Sequence, residues 1–302
     1  MASYCIKAFY LLHAHLLRVP VTDAGLLEDQ QFIIENALHL VLGQLQIALA
    51  RGWLITSLSC MSLSQMIVQA VYDSGFEQEF LQLPFLTSDI LKHFKKKMIK
   101  NVPEFLKMND ADRTSLLRTL KADEVTDVVR IAQSIPQVKI AKAEFLTLGE
   151  VKVIAGGLVT LVVRLVVEEG SGAKSPTSPT TSDKIDFDDL DKKIATGDED
   201  VFQDDDDDHV MIAPKGPISN PNEAIYAPYL KSMEKKPFWW VILAEPRMNN
   251  FICPPVKVHD LVTSKTVKMQ FVAPNREGTY QFVLYLKSDS FVGLDLRQEV
   301  KV

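Results

Sequence analysis

Several features are scarce or missing in this 302-residue chain, and each excludes a class of protein. Cysteine occurs three times, at Cys5, Cys60 and Cys253, and no C-x-x-C pair is present, which argues against a disulfide-stapled fold and favours a reducing compartment. The longest apolar runs, residues 38–50 and 159–167, fall short of the roughly 20 residues that a membrane span needs. No signal-peptide pattern opens the sequence. We therefore expect a soluble protein with a packed core.

Sequence patterns of catalysis are also missing. There is no G-x-S-x-G nucleophile motif, no G-x-x-x-x-G-K-[ST] phosphate loop and no cysteine in a catalytic context. His13 and His15 are two residues apart in a helical segment, so their side chains point to different faces, whereas zinc ligation on a helix needs i, i+4 spacing. The sequence therefore predicts no catalytic residue, no cofactor and no metal, and a protein that is not an enzyme.

The most distinctive feature present is an acidic tract. A Ser/Pro/Thr stretch over residues 171–182 leads towards five consecutive aspartates, Asp204, Asp205, Asp206, Asp207 and Asp208. Residues 169–209 hold 14 acidic and 4 basic side chains, a balance of −10, so the rest of the chain carries +4 of the total charge of −6. Contiguous aspartates lack the alternating ligands and the turn glycine of an EF-hand loop. We interpret the tract as a solvated, disordered insert that binds a basic partner in a salt-dependent way.

Four residues of this tract are candidate phosphorylation sites: Ser175, Ser178, Thr180 and Thr196. Each serine precedes a proline, and each threonine has an acidic residue three positions later. Phosphate groups there would add negative charge and strengthen the attraction of a basic partner.

Helical periodicity dominates the first 135 residues. Three long helices are predicted. The first covers residues 3–18, and the second begins at an N-cap, Thr22 or Asp23, and ends at Gly52. The third covers residues 54–73, with Gly75 just beyond its end. Shorter helices are predicted over residues 88–98, 102–107, 110–120 and 123–133, with Asn109 or Asp110 and Asp123 as caps. We interpret residues 1–86 as a helical bundle and residues 87–135 as a helix-hairpin-helix-like module.

From residue 136 onward the pattern changes to short β-branched runs. Seven strands are predicted, over residues 138–147, 158–167, 238–244, 251–256, 267–272, 280–287 and 294–302. Short strands of this number favour a fibronectin-III or immunoglobulin-like β-sandwich over residues 136–302, interrupted by the acidic insert at about residues 169–232. The predicted fold class is therefore α+β with several domains.

Two local features have both a structural and a functional interpretation. The five lysines of residues 92–100 form a basic cluster at a helix end. The net negative charge and the scarcity of aromatic residues among them favour an exposed charged helix end over a phosphate contact, with a protein or anionic-lipid contact as the second interpretation. Trp239 and Trp240 are neighbours on a predicted strand, so one indole should face the core and the other should lie outside, either buried or anchoring a partner. We favour burial of both rings.

Two strand-joining segments are candidate partner-binding loops. They contain Arg247 and Asn249, and Asn275 and Arg276, and they combine charge with tight turns at the ends of strands. With the five aspartates, these residues are the predicted partner-binding set.

An ordered series of segments resembles the cytosolic carboxy-terminal region of the Sec-sixty-three family. The segments are residues 11–16 (LLHAHL), 28–32 (EDQQF), 61–66 (MSLSQM), 81–84 (LQLP), and 280–281 (YQ) through 287–295 (KSDSFVGLD). This family is the J-domain-bearing membrane subunit of the Sec translocon of the endoplasmic reticulum. The resemblance implies a helical bundle, a helix-hairpin-helix-like module and a fibronectin-type-III sandwich, in that order.

The resemblance also implies partners and a location. The sandwich would dock on the Sec channel subunit at the cytosolic face of the endoplasmic reticulum membrane, and the acidic region would recruit a Sec-sixty-two-type partner with a basic segment. A lumenal Hsp-seventy chaperone would be engaged only through a J domain, which these residues do not contain, so the sequence is expected to be a fragment or a truncated product.

A related cassette follows the motor domains of spliceosomal DExH helicases. We therefore hold two hypotheses. The favoured one is a non-enzymatic translocation scaffold that does not bind nucleic acid. The alternative is an RNA-helicase-associated cassette that binds RNA or spliceosomal proteins. The acidic insert and the Trp239-Trp240 pair look like the translocon branch, and the chain carries no helicase motif.

Overall fold

In the computed structural model, the described residues form eight α-helices followed by two antiparallel β-sheets, which confirms the α+β class. The structure describes residues 3–72, 78–147, 153–168, 225–230 and 235–302. The helices are α1 (Ser3–Leu16), α2 (Ala24–Ala50), α3 (Leu54–Gln69), α4 (Gln78–Leu81), α5 (Ser88–Lys96), α6 (Val102–Lys107), α7 (Asp110–Leu116) and α8 (Ala122–Ser134). The strands are β1 (Val138–Thr147), β2 (Leu158–Val167), β3 (Trp239–Glu245), β4 (Asn250–Phe251), β5 (Val256–Val258), β6 (Ser264–Val272), β7 (Gln281–Ser288) and β8 (Leu296–Lys301).

The helix α2 packs one face against α1 and α3. Its buried residues recur at three- and four-residue steps, among them Ile34, Leu38, Val41 and Leu45, as expected for one face of a helix. By length and composition alone α2 is apolar enough to cross a membrane. Its buried face, however, belongs to a core shared with α3 and β3, as in the central helix of a globular protein.

The ends of two helices differ from the prediction. The helix α3 ends at Gln69, where Ala70 adopts a left-handed conformation with φ 50°, four residues short of the predicted end; Gly75 lies outside the described residues. The helix α8 begins after Lys121, so the predicted cap Asp123 is wrong. There the Glu124 carboxylate accepts the Lys121 backbone N–H at 2.8 Å, which stabilises the helix start in place of an aspartate cap. Asp23 and Asn109 are confirmed as caps.

The two sheets face each other across one apolar core. The first sheet has the order β1-β2-β6, and the second has the order β4-β3-β7-β8 with β5 also paired to β3. The predicted strand over residues 251–256 is wrong: it divides into β4 and β5, because Pro254 and Pro255 have no N–H to donate to β3. The assignment to a fibronectin-III or immunoglobulin-like fold, the helical bundle, the hairpin-like module and the domain boundaries remain predictions.

The strand β3 is buried on both faces. Trp239, Val241 and Leu243 belong to the core between the sheets, and Trp240, Ile242 and Ala244 pack against residues of α2 and α3. Alternate side chains of a strand point to opposite faces, so this one strand joins the helices to the sheets. The predicted burial of both indoles is confirmed, at 3% and 5% exposure.

Candidate interaction surfaces

One end of the paired sheets carries the predicted partner-binding loops. The register Ala244↔Val283 brings the end of β3 beside the start of β7, and Leu158↔Val272 brings the start of β2 beside the end of β6. The loop after β3 and the loop between β6 and β7 therefore emerge at the same end. Arg247, Asn275 and Arg276 are exposed there. We call these three residues the loop-end cluster.

The fourth predicted residue of these loops, Asn249, has a structural contact. Its side-chain Oδ1 accepts the backbone N–H of Ile55 at 2.8 Å, and its backbone oxygen accepts the N–H of Leu54 at 3.3 Å. The start of α3 has no side-chain cap of its own at Trp53. Asn249 supplies that cap from 194 positions away, a distance over which no local sequence pattern could identify it.

The chain enters the acidic tract from the opposite end of the sheets. The strand β2 runs ten residues from Leu158 to Val167, and at about 3.3 Å per residue its ends are roughly 30 Å apart. The pairing Trp239↔Ser288 sets the start of β3 at that same opposite end. The five aspartates and the four candidate phosphorylation sites themselves lie outside the described residues.

The basic cluster lies at the carboxy-terminal end of α5. Lys92 pairs with Asp89 at 2.7 Å and Lys97 with Asp112 at 3.9 Å. All five lysines are exposed. The helix dipole stabilises positive charge at a helix carboxy terminus. The position of these lysines is therefore partly explained by the stability of α5, without a binding partner.

A buried polar contact, which we call the polar junction, joins α3 and the segment after α4 to residues 288–295. Gln65 Nε2 donates to the Ser288 carbonyl and, at 2.9 Å, to Asp295 Oδ1. Gln69 Nε2 donates to the Ser290 carbonyl at 2.9 Å, and Gln82 Nε2 to the Val292 carbonyl at 3.2 Å. The three glutamines are at most 4% exposed.

The segments that carry the family resemblance meet through contacts of this kind. Within the first helices, Gln30 Nε2 donates to the Leu11 carbonyl at 2.9 Å, and the ring Nε2 of His15 hydrogen-bonds the Ile67 carbonyl at 2.8 Å. The polar junction then ties residues 61–66 and 81–84 to residues 287–295. Sequence reasoning identified these segments as a signature but missed their common role, because each hydrogen bond joins residues far apart in the chain.

Two ionisable groups beside these contacts have shifted pKa values. Burial raises the pKa of Glu79 to about 7, against the opposing hydrogen bond that its carboxylate accepts from the Val102 N–H at 2.8 Å. For His15 burial has the opposite effect: it disfavours the charged imidazolium and lowers the pKa. Glu79 borders a cleft of about 310 Å³. A Cβ atom at position 293 would lie 2.9 Å from the Cβ and Cγ of Glu79, which is too close, so Gly293 has to be glycine. Both groups are held by backbone partners.

Metal-binding chemistry has no candidate in the part of the chain that the structure describes. No group of three or more His, Cys, Asp or Glu side chains there could hold an ion. His13 Nδ1 lies 2.9 Å from the Phe9 carbonyl of its own helix, while His15 is buried against α3, so the two rings are directed apart.

These observations define a class: an α+β protein in which helices and two sheets form one body through β3 and the polar junction, with charged surfaces at separate places. A family model described as the Sec63 Brl domain matches residues 2–301, and the chain therefore belongs to that family.

Curated relatives of different kinds match this chain at similar identity. The human U5 small nuclear ribonucleoprotein 200 kDa helicase is 26% identical over 296 residues, covering 98% of this chain and 11% of the relative. Translocation protein sec63 of Schizosaccharomyces pombe is 27% identical over 301 residues, covering 97% of this chain and 45% of the relative. The mouse translocation protein SEC63 homolog is 25% identical, covering 99% of this chain and 55% of the relative. The chain thus spans about a tenth of the helicase and about half of the translocation proteins.

Proposed function

We propose that this chain is a non-enzymatic scaffold of the endoplasmic reticulum protein-translocation machinery. In this proposal it acts at the cytosolic face of the membrane and binds the Sec channel and accessory subunits during post-translational import. The loop-end cluster contacts the channel, and the acidic insert contacts a Sec-sixty-two-type partner through its basic segment. Engagement of a lumenal Hsp-seventy chaperone would require a J domain outside these residues.

The observation that carries the proposal is the separation of the loop-end cluster from the point where the chain enters the acidic insert. The loop-end cluster and the entry to the acidic insert are at opposite ends of the sheets, roughly 30 Å apart, and the polar junction and β3 tie those sheets to the helices. Such an arrangement suits simultaneous attachment of two partners of different charge. Membership of a family that includes translocation proteins supports the assignment to translocation.

A pull-down from detergent-solubilised endoplasmic reticulum membranes tests the proposal. Three baits are compared: the chain, a version without residues 169–209, and the triple variant Arg247→Ala/Asn275→Ala/Arg276→Ala. We expect the chain to recover the channel and a basic partner. The deletion should lose only the basic partner, whose attraction weakens with salt, and the triple variant should lose only the channel. The matched control is Arg164→Ala/Lys268→Ala, which removes two exposed positive charges from β2 and β6.

The second candidate function is that of a helicase-associated cassette. Two observations favour it: the U5 helicase relatives match as much of the chain as the translocation proteins do, and α5 ends in exposed lysines. In the same pull-down, recovery of RNA or spliceosomal proteins without the channel would replace the translocation proposal by this one. Binding of RNA should then fall with salt and with the substitution Lys95→Ala/Lys96→Ala/Lys100→Ala.

A further inference from the structure

The positive charge of this chain is concentrated in one short stretch. Residues 88–121, which contain α5, α6 and α7, hold nine basic and four acidic side chains, a balance of +5. Residues 169–209 carry −10, so all remaining residues together contribute only −1 to the total of −6. The acidic tract and residues 88–121 are therefore the two strongly and oppositely charged parts of the chain.

The acidic side chains within residues 88–121 already have partners there. Each of the three aspartates pairs with a basic side chain of the same stretch: Asp89 with Lys92, Asp112 with Lys97 and Asp110 with Arg113. The Glu104 carboxylate accepts the backbone N–H of Lys100 at 2.7 Å. These carboxylates are thus engaged with three basic side chains and one backbone group, and other lysines of the stretch are left over.

The remaining lysines of α5, α6 and the turn between them form a surface that we call the lysine surface. Its four members are exposed: Lys95, Lys96, Lys100 and Lys107. Among the residues that the structure describes, none of the four has an acidic partner within 4.0 Å. Charges of one sign gathered in this way attract a ligand of the opposite sign.

The acidic tract leaves the described body and returns to it near the two ends of α5. Glu168, just before the tract, borders a cleft together with Asn101 and Lys107, which follow α5. Where the described chain resumes, Tyr226 borders a groove together with Ser88, the first residue of α5. The tract is therefore anchored on both sides of the helix that carries two of the four lysines.

The five consecutive aspartates are within reach of this surface from both anchors. Asp208 lies 17 positions before Ile225, and Asp204 lies 36 positions after Glu168. Seventeen extended residues span at most roughly 55 Å, about four times the roughly 13 Å length of a nine-residue helix such as α5. Attachment at both ends makes the encounter intramolecular, which raises the effective concentration of the aspartates at the lysines.

We propose that the lysine surface is the docking site of the chain's own acidic run, residues 204–208. Charge complementarity selects this occupant, and the two anchors beside α5 bring it there. One exposed ion pair contributes little, whereas several charges acting together contribute more. The contact is autoinhibitory: it hides the aspartates from a basic partner and the lysines from another anionic ligand. It lies within one chain and depends on neither proposed function.

Zero-length cross-linking of the full chain tests the contact. A carbodiimide joins a carboxylate to a lysine amine where the two touch, and mass spectrometry identifies the linked residues. We expect links from residues 204–208 to the lysine surface, and their loss when salt rises from about 0.1 M to about 1 M. Lys268, an exposed lysine of β6, is the internal control and should stay unlinked. Mixing isotopically heavy and light chains separates links within a chain from links between chains.

A second measurement asks whether the lysine surface is occupied in the parent chain. The probe is a fluorescein-labelled peptide with the sequence of residues 202–209, followed by fluorescence anisotropy. The compared variant is Asp204→Asn/Asp205→Asn/Asp206→Asn/Asp207→Asn/Asp208→Asn. We expect the peptide to bind this variant about tenfold more tightly than the parent chain, because the parent's own run competes with it.

Further substitutions in the asparagine variant locate the binding of the peptide. Lys95→Ala/Lys96→Ala/Lys100→Ala/Lys107→Ala should abolish it. The matched control, Arg164→Ala/Lys265→Ala/Lys268→Ala/Lys301→Ala, removes the same number of exposed positive charges from β2, β6 and β8 and should leave most of the binding intact.

Three results would overturn the proposal: no link to the lysine surface at low salt, links that reach Lys268 equally, or equal affinity of the peptide for the parent chain and the asparagine variant. Tight and equal binding of a single-stranded RNA or of phosphatidylserine vesicles by both proteins would contradict it as well, because the surface would then be open to other anions. The pull-down of the translocation channel is unaffected by these outcomes, so the two proposals fail separately.

Discussion

Glu79 is a carboxyl group whose ionisation opposes folding. Its folded pKa is about 7, raised by burial from an ordinary value of 4.5, so between these pH values the folded chain binds more protons than the unfolded chain. The free energy of unfolding therefore falls as pH rises through this window. No sequence pattern marks Glu79, because the shift arises from α6 and the turn at Gly293 closing over it.

We predict that Glu79→Gln stabilises the protein at high pH. Glutamine keeps an oxygen that can accept the Val102 N–H but does not titrate. Its unfolding free energy should exceed that of the parent chain by up to about 3 kcal/mol at pH 8 and by almost nothing at pH 4.5. Urea unfolding across this pH range measures the difference. Glu28→Gln, which removes an exposed carboxylate from α2, should give a flat difference; a flat difference for Glu79→Gln as well would contradict the assignment.

At the scale of elements, the structure gives the predicted partner-contact residue Asn249 a helix-capping role as well. Asn249 adopts φ 51° and caps the start of α3, and Gly52 in the turn before α3 leaves room for the Asn250 side chain, whose Oδ1 would lie 2.7 Å from a Cβ at position 52. The loop after β3 is thus partly a structural contact with the helices. Its neighbour Arg247 stays exposed and stays a predicted partner contact.

We predict a graded loss of stability at Asn249. Asn249→Gly removes the hydrogen bond to the Ile55 N–H but fits the left-handed backbone, and it should cost about 1 kcal/mol. Asn249→Ala should cost about 2 kcal/mol, because the Cβ adds strain to the lost cap. Arg247→Ala is the control and should change the unfolding free energy by less than about 0.5 kcal/mol. If neither Asn249 variant alters the urea midpoint while partner binding is lost, the residue acts as a contact and the capping role is wrong.

The predicted bounds of helices and strands agree with the structure where neighbouring residues determine them. The strands β1 and β2 and the helix α6 begin and end at the predicted residues, because β-branched runs and an Asn-capped turn determine them within a few neighbours. The helix α3 ends four residues before its predicted end, at the left-handed Ala70, where Arg18 from α1's end donates hydrogen bonds to the carbonyls of Gln69 and Ala70. The short helix α4 was missed because only four residues form it, too few to show a period.

At the scale of the whole molecule, the polar junction joins the helices to the sheets alongside the shared core at β3. Gln65 carries two of its hydrogen bonds, and its loss would remove the side-chain donor of the Ser288 carbonyl, whereas Asp295 Oδ1 would still accept the Ser288 N–H at 3.1 Å. A second contact reinforces the joint, since Lys287 Nζ pairs with Asp295 at 3.0 Å and donates to Ser62 Oγ at 2.8 Å. Buried acceptors that lose their donor cost about 1–3 kcal/mol each.

We predict that Gln65→Leu lowers the unfolding free energy by about 1–3 kcal/mol. The parent chain should show coincident urea transitions by far-ultraviolet circular dichroism and by tryptophan fluorescence, because Trp240 lies between helices and sheet. In Gln65→Leu the two transitions should separate. Gln44→Leu, on the exposed side of α2, controls for the apolar substitution and should leave both transitions together. A parent-like stability for Gln65→Leu would show that β3 alone joins the two parts.

The sequence by itself determined the α+β class, the order of the elements, the burial of both tryptophans and the family resemblance, because periodicity, capping and turn residues act over a few neighbours. Only the tertiary structure decided that the loop-end cluster and the entry to the acidic tract lie at opposite ends of the sheets, that Asn249 caps a helix, and that Arg18 joins the ends of α1, α3 and α4. Those features depend on strand register and on contacts between residues tens to hundreds of positions apart. Such pairings leave no periodic trace in a single sequence.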